Sequence, residues 1–226
     1  MRIILITYIL FSLQLLVAQE NNPFLSRESV DPEATKILSS IHDKLTKNGT
    51  VVYDFSFEIQ YPDETPQIIL GSLIQKNERF HLSMNDREIY TDSKSMWVYD
   101  KDMNVVEIYD ADFGEEGAFM SPTEFLRLYN SPDYTYILED KWYEGDDEIS
   151  RILFKPLKDD SEYFKMTMEI ANKDPYLKEM KIFAKDGSRY MLNFTNIAFS
   201  NEYNDDYFVF NTTDYKDIQI ENLRID

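Results

Sequence analysis

The chain has no cysteine, and only six glycines and two histidines among its 226 residues. Without cysteine there can be no disulfide, no thiolate metal centre and no thiol nucleophile. The same absence removes the residue on which a bacterial lipoprotein carries its own lipid anchor. Scarce glycine leaves no phosphate-cradling loop or dinucleotide fingerprint, and neither a G-x-S-x-G elbow nor an H-E-x-x-H pair occurs. His42 and His81 stand far apart, and His42 falls near the apolar edge of a helix, where it reads as a boundary residue. Positive charge is also short: 23 Lys and Arg face 42 Asp and Glu, a formal net charge of −19. Such a surface is repelled by phosphate backbones and anionic headgroups, which excludes nucleic-acid binding.

Long hydrophobic runs are lacking except at the start. Residues 1–18 carry one basic residue, Arg2, then an uncharged apolar run from Ile3 to Ala18. This pattern predicts a secretory signal peptide cleaved between Ala18 and Gln19, leaving residues 19–226 as one domain. The run is shorter than the roughly 18–20 residues of a membrane span, so stable membrane insertion is not expected. Loss of Arg2 with the leader would take the charge from −19 to −20.

What the chain has in quantity is aromatic residues, 16 Tyr, 15 Phe and 2 Trp, which suit pleated, half-buried surfaces. Ile68 to Asp110 alternates short apolar runs with two to four polar residues, the pattern of a β-meander. Val51 to Gln60 alternates strictly, with Val51, Tyr53, Phe55, Phe57 and Ile59 on one face. Further strands are predicted at Tyr134–Glu139, Ile149–Lys155, Tyr163–Ile170, Tyr176–Lys185, Ser188–Phe199 and Asp206–Phe210. Asp186-Gly187 between two of them predicts a two-residue type I′ hairpin. The fold class is therefore mainly β: about eleven antiparallel strands, enough to force a strongly curved sheet. Apolar residues on both faces of the meander call for cover on both, or for a cavity lined by one.

Two helices are expected. Asp31-Pro32-Glu33 caps the first, which places Ala34, Ile37, Leu38, Ile41 and Leu45 on one face and ends at Asn48-Gly49. Ser121-Pro122-Thr123-Glu124 has capping-box spacing and opens a short apolar helix with Phe125 and Leu128. Together the two read as a lid over the sheet.

Acids are abundant, so calcium and acid–base roles need a test. Asp100-Lys101-Asp102-Met103-Asn104 begins like a calcium loop, but Val105 stands where glycine must turn and Ala111 where the bidentate Glu belongs. It reads as a hairpin turn. No metal, no cofactor and no catalytic set are expected, although a secreted hydrolase acting through a carboxylate pair of the glycosidase kind is one alternative function.

The segment Gly71-x-Leu73, Phe80, Ile89-Tyr90-Thr91-Asp92-Ser93-Lys94-x-Met96-Trp97-x-Tyr99-Asp100 resembles the "G-x-L … F … I-x-S-D-G-K-x-L-W-x-Y" segment of the LolA family of periplasmic lipoprotein carriers. Phe208-Val209-Phe210 resembles the family's C-terminal F-x-F strand. The resemblance implies an incomplete β-barrel with a helical lid over an apolar mouth. It also implies a periplasmic monomer that is not an enzyme. Its partners would be acylated lipoproteins, the inner-membrane ABC transporter that releases them, and an outer-membrane acceptor. On that reading the cavity-lining candidates are Tyr53, Phe55, Phe57, Ile59, Phe80, Leu82, Trp97 and Tyr99. The lid underside would be Ile37, Leu38, Ile41, Phe125 and Leu128. The family's basic latch residue, usually followed by proline, falls at Lys76, here followed by Asn77. A sensor of the RseB type, binding lipids or lipoproteins on the same fold, is the other alternative function.

Overall fold

Among the described residues, alternation, capping and turn chemistry build one long sheet and one α-helix. A computed structural model describes residues 30–47, 49–111 and 128–224. Helix α1 spans Pro32–Lys47. Asp31 caps it, its Oδ1 accepting from the Glu33 N–H at 2.8 Å. Gly49, in the left-handed region at φ +76°, turns the chain out of the helix toward the sheet.

The strands β1 (Thr50–Gln60), β2 (Gln67–Lys76), β3 (Arg79–Met84), β4 (Arg87–Thr91), β5 (Ser95–Asp100) and β6 (Val105–Asp110) form the first meander. A second comprises β7 (Tyr134–Glu144), β8 (Asp147–Pro156), β9 (Tyr163–Ala171), β10 (Tyr176–Ala184) and β11 (Arg189–Ser200). β1 pairs with β11, so the meanders join side by side in one 12-stranded sheet with β12 (Gln219–Asn222) and β7 at its edges. The sheet is not closed: β7 and β12 do not pair. Single-residue register shifts at Asp54/Phe55, Leu138/Asp140 and Leu177/Glu179 mark β-bulges that add twist and bend.

Three expectations are corrected. The hairpin at Asp186-Gly187 forms, but it is a type I turn with a bulge: Gly187 alone takes positive φ (+93°), and the Gly187 N–H bonds the Ala184 carbonyl. The strand expected at Asp206–Phe210 is instead a 3-10 turn, Asp205–Phe208, closed by the Val209 N–H on the Asp206 carbonyl. The polar run Asn204-Asp205-Asp206 bonds locally and competes with a ladder, while Phe208 and Phe210 still bury and Val209 stays out. Finally, the sheet is not wholly antiparallel, since β12 runs parallel to β6, and β12 itself was not expected. Of the second helix, Phe125 and the Ser121 capping box lie outside the described residues; Leu128–Asn130 forms one 3-10 turn.

Candidate functional site

The sheet has an inner face covered by α1. Val51, Tyr53 and Phe55 of β1 are buried there, while Phe57 and Ile59 on the same face are half-buried. Cross-strand register brings Leu73 and Leu82 beside Tyr53, and Phe80 beside Gln75 one step further. From α1, Ala34, Leu38, Ile41 and Leu45 enter the same buried cluster, and Leu128 joins it. Thus Tyr53, Phe55, Phe80 and Leu82 are brought together with Leu38, Ile41 and Leu128. Ile37 is only partly buried and lines a recess of about 520 Å³ between the helix and Lys141.

Trp97 and Tyr99 are not brought to this face. Tyr90 pairs with Trp97, and Tyr99 with Val106, on the side opposite Ile89 and Leu82. There Tyr99, Val106 and Phe210 form a separate buried cluster, packed by Tyr90, Trp97, Tyr215 and Ile218. The C-terminal segment therefore covers the outer face with its aromatic rings. Phe210 packs 5.3 Å from Tyr99 and 4.6 Å from Tyr215 between ring centroids. The physical reason is parity: a strand's side chains alternate, and register decides which set faces α1.

Inner-face residues missed from sequence include Met166, Met168 and Met180, all buried in the cluster. Met166, Met168 and Ile170 alternate along β9, a signal that was available. Methionine is flexible and polarizable, so it fills irregular apolar space between the helix and the sheet.

Polar ties fix the helix to the second meander. Asp31 Oδ2 accepts from the Leu138 N–H at 3.1 Å, and the hydroxyls of Thr35 and Tyr136 are 2.9 Å apart. Glu33 pairs with Lys141 and Lys44 with Asp174, each at 2.5 Å. His42 lies within α1, partly buried, its ring edge-on to Tyr129 at 6.1 Å.

Lys76 bonds the C-terminal segment. Its Nζ pairs with Asp205 Oδ1 at 2.9 Å, and Arg79 pairs with the other oxygen of the same carboxylate. The residue expected to latch the lid thus ties the β2–β3 hairpin to the C-terminal segment. These two cations hold the Asp205 carboxyl below its ordinary range, Arg79 contributing most.

Beneath that segment lies a polar knot on the outer face. His81 Nε2 stands 3.6 Å from Glu88 Oε2, Tyr90 donates to the same oxygen at 2.7 Å, and Lys101 pairs with Oε1 at 3.0 Å. Its neighbours, His81 first, hold the Glu88 carboxyl down at about 2 against the opposing effect of burial. Burial and the same carboxylate push the Tyr90 phenol well above its usual range. His81 is stacked on Tyr90 at 3.9 Å and meets the Tyr207 hydroxyl at 3.1 Å. These groups face one another and tie the C-terminal segment to the sheet through the His81–Tyr207 contact. Asp100–Asn104 is a hairpin turn, Asp100 Oδ1 accepting from the Met103 N–H at 2.8 Å. Among the described residues no three His, Asp or Glu side chains gather as a metal site.

An uncharacterized conserved protein from Thermus thermophilus shares the fold, with a TM-score of 0.57 at 13% identity over 84% of this chain and 99% of its own. A LolA superfamily protein from Nitrosomonas europaea gives 0.39 at 10% identity, covering 78% and 97% of the two chains. MucB, in its complex with MucA from Pseudomonas aeruginosa, gives 0.38 at 8% identity, covering 80% and 62%. Comparison with the curated proteins finds no match. The model of the family described as "Outer membrane lipoprotein carrier protein LolA" matches residues 47–211, the stretch from the end of α1 through β11 and the buried Phe208 and Phe210, and the chain belongs to that family.

Proposed function

We propose that this protein is a periplasmic carrier of acylated lipoproteins, made with a cleaved leader and acting as a monomeric domain of residues 19–226. It receives its cargo from an inner-membrane ABC transporter, shields the acyl chains, and hands them to an outer-membrane acceptor. The observation that carries the reading is the inner face, an apolar surface closed by one amphipathic helix whose buried residues are Ala34, Leu38, Ile41 and Leu45. No covalent chemistry enters.

Magnitudes support displacement of that helix by cargo. Exposing Leu38, Ile41 and Leu45 costs about 1.5–3 kcal/mol each. One acyl chain of about fifteen carbons gains on the order of 12 kcal/mol when buried, at about 0.8 kcal/mol per CH₂. A single chain therefore outweighs the helix underside, and the ties to β7 and the β9–β10 turn keep the opened helix attached. The same arithmetic explains why such cargo needs a carrier to cross water.

The test is lipoprotein release. Purified protein is added to spheroplasts, and the soluble fraction is examined for a complex with acylated lipoprotein. Release supports the carrier. Binding of a fluorescent fatty acid without release would turn the reading to the sensor alternative, and absence of both would remove it.

A further inference from the structure

A recess of about 500 Å³ opens where the last turn of α1 meets the end of the β2–β3 hairpin. Its floor includes Leu45 and Val51, both members of the buried cluster that joins the helix to the sheet. Its rim carries Lys76 and Arg79, converging on the one carboxylate of Asp205. Two cations brought to one point are notable in a chain with a net charge of −19. The side chains of Lys76 and Arg79 are about one-third exposed, at 32% and 35%, whereas that of Asp205 is 59% exposed. Glu78 is the other carboxylate of the rim and is solvent-exposed, where water screens it. The result is an amphipathic slot, with a charged clamp at its mouth and an apolar floor that leads into the acyl-binding face.

We infer that Lys76 and Arg79 form a head-group clamp for a single-chain long-chain carboxylate, with Asp205 as the internal carboxylate that occupies the clamp when no ligand is bound. This rests on the acyl-binding reading of the inner face and adds to it a second ligand class, free fatty acids, beside the lipoprotein cargo, whose ester- or amide-linked chains carry no carboxylate and would use the face without the clamp. Carboxylate, rather than another anion, is indicated because the clamp already holds one: Oδ1 faces Lys76 and Oδ2 faces Arg79. A ligand carboxylate would take over both contacts while its chain runs past Leu45 and Val51, displacing the apolar underside of α1. The clamp discriminates free fatty acids from esterified or alcohol chains of equal length.

The experiment compares binding of parinaric acid, a fluorescent long-chain carboxylate, with that of its methyl ester to the purified chain. The acid should bind about tenfold more tightly or better, the range of a charge-assisted hydrogen bond. The Lys76→Gln, Arg79→Gln double variant should lose that preference while keeping its affinity for the ester, which also shows that the acyl face is intact. Asp205→Asn should raise affinity for the acid about threefold or more, because it removes the internal competitor. Equal binding of acid and ester, or weaker acid binding in Asp205→Asn with ester binding preserved, would overturn the clamp and leave the acyl reading standing. A long-chain alkyl phosphate that outcompetes the acid through the same two cations would overturn the assignment to carboxylate. Binding of neither acid nor ester would overturn clamp and acyl reading together.

Discussion

Gly71 lies under the ring of Phe55. The two are cross-strand partners on β2 and β1, and a Cβ at position 71 would stand 2.5 Å from Phe55 Cζ and 2.9 Å from the Ser83 carbonyl oxygen. The glycine of the G-x-L motif is thus required by packing rather than by backbone angle. Gly71→Ala should destabilise the protein by about 1–3 kcal/mol, since neither the ring nor the Ser83 backbone can give way fully. In urea unfolding, combining Gly71→Ala with Phe55→Leu should cost less than the sum of the two, because the smaller side chain relieves part of the clash. Strict additivity would show that the ring is not the obstacle.

Asp31 links helix and sheet with a single carboxylate. Oδ1 caps α1 at the Glu33 N–H, and Oδ2 accepts the Leu138 N–H on β7. Asp31→Ala should cost about 1–2 kcal/mol for the cap, and more for the orphaned amide, whereas Asp31→Asn should retain much of the cap. Hydrogen exchange at the Leu138 amide should quicken in the Ala variant beyond what global destabilisation accounts for. Unchanged exchange there would show that the sheet contact contributes nothing.

The helix and β1 were legible because each has a local signal. Asp31-Pro32-Glu33 and Asn48-Gly49 bracket the helical spacing, and β1 alternates from Val51 to Ile59 without interruption. Inner-face membership along β4 and β5 was not legible. Tyr90, Trp97 and Tyr99 are aromatic on one face while Ile89, Met96 and Val98 are apolar on the other, so parity alone cannot say which set meets α1. That choice is made by cross-strand register from β1 through β3 and by the C-terminal segment, whose Phe210 and Tyr215 cover the outer set. Phe208 and Phe210 repeat at strand spacing yet bury from a turn, because period 2 reports which side chains are buried and not how the backbone bonds. The role of Asp205 was hidden for a related reason: it meets Lys76 and Arg79 only through folding of distant segments.

Acid should loosen the C-terminal segment through Glu88. Its carboxyl is held at about 2 in the folded protein against an ordinary value of 4.5, with His81 the leading cause. A depressed folded value means the stabilisation is present above pH about 4.5 and is lost as pH falls from there toward 2. Its size is on the order of 3 kcal/mol, taking about 1.4 kcal/mol per unit. Glu88→Gln should therefore be less stable than the parent at pH 7, and the difference should shrink steadily below pH 4.5. Thermal unfolding across pH 2 to 7 checks this; parallel curves for parent and variant would show that Glu88 is not the group responsible.

The two faces of the sheet should separate cleanly in function. Phe57 is half-buried on the inner face, stacked on Tyr190 with centroids 6.4 Å apart, so its surroundings can hydrate a charge without loss of the core. Phe57→Glu should retain native far-ultraviolet circular dichroism yet lose lipid uptake, because an ionised carboxylate in the acyl path costs several kcal/mol to desolvate. Trp97→Ala acts on the other side. It removes packing beneath Phe210 and Tyr215 and should lower stability by about 3 kcal/mol, with fatty-acid affinity in the remaining folded protein unchanged. Binding titrations on both variants at a temperature where each is folded decide the matter. If Trp97→Ala loses uptake while Phe57→Glu keeps it, the acyl chains lie under the C-terminal segment, and α1 is a structural cover rather than a lid.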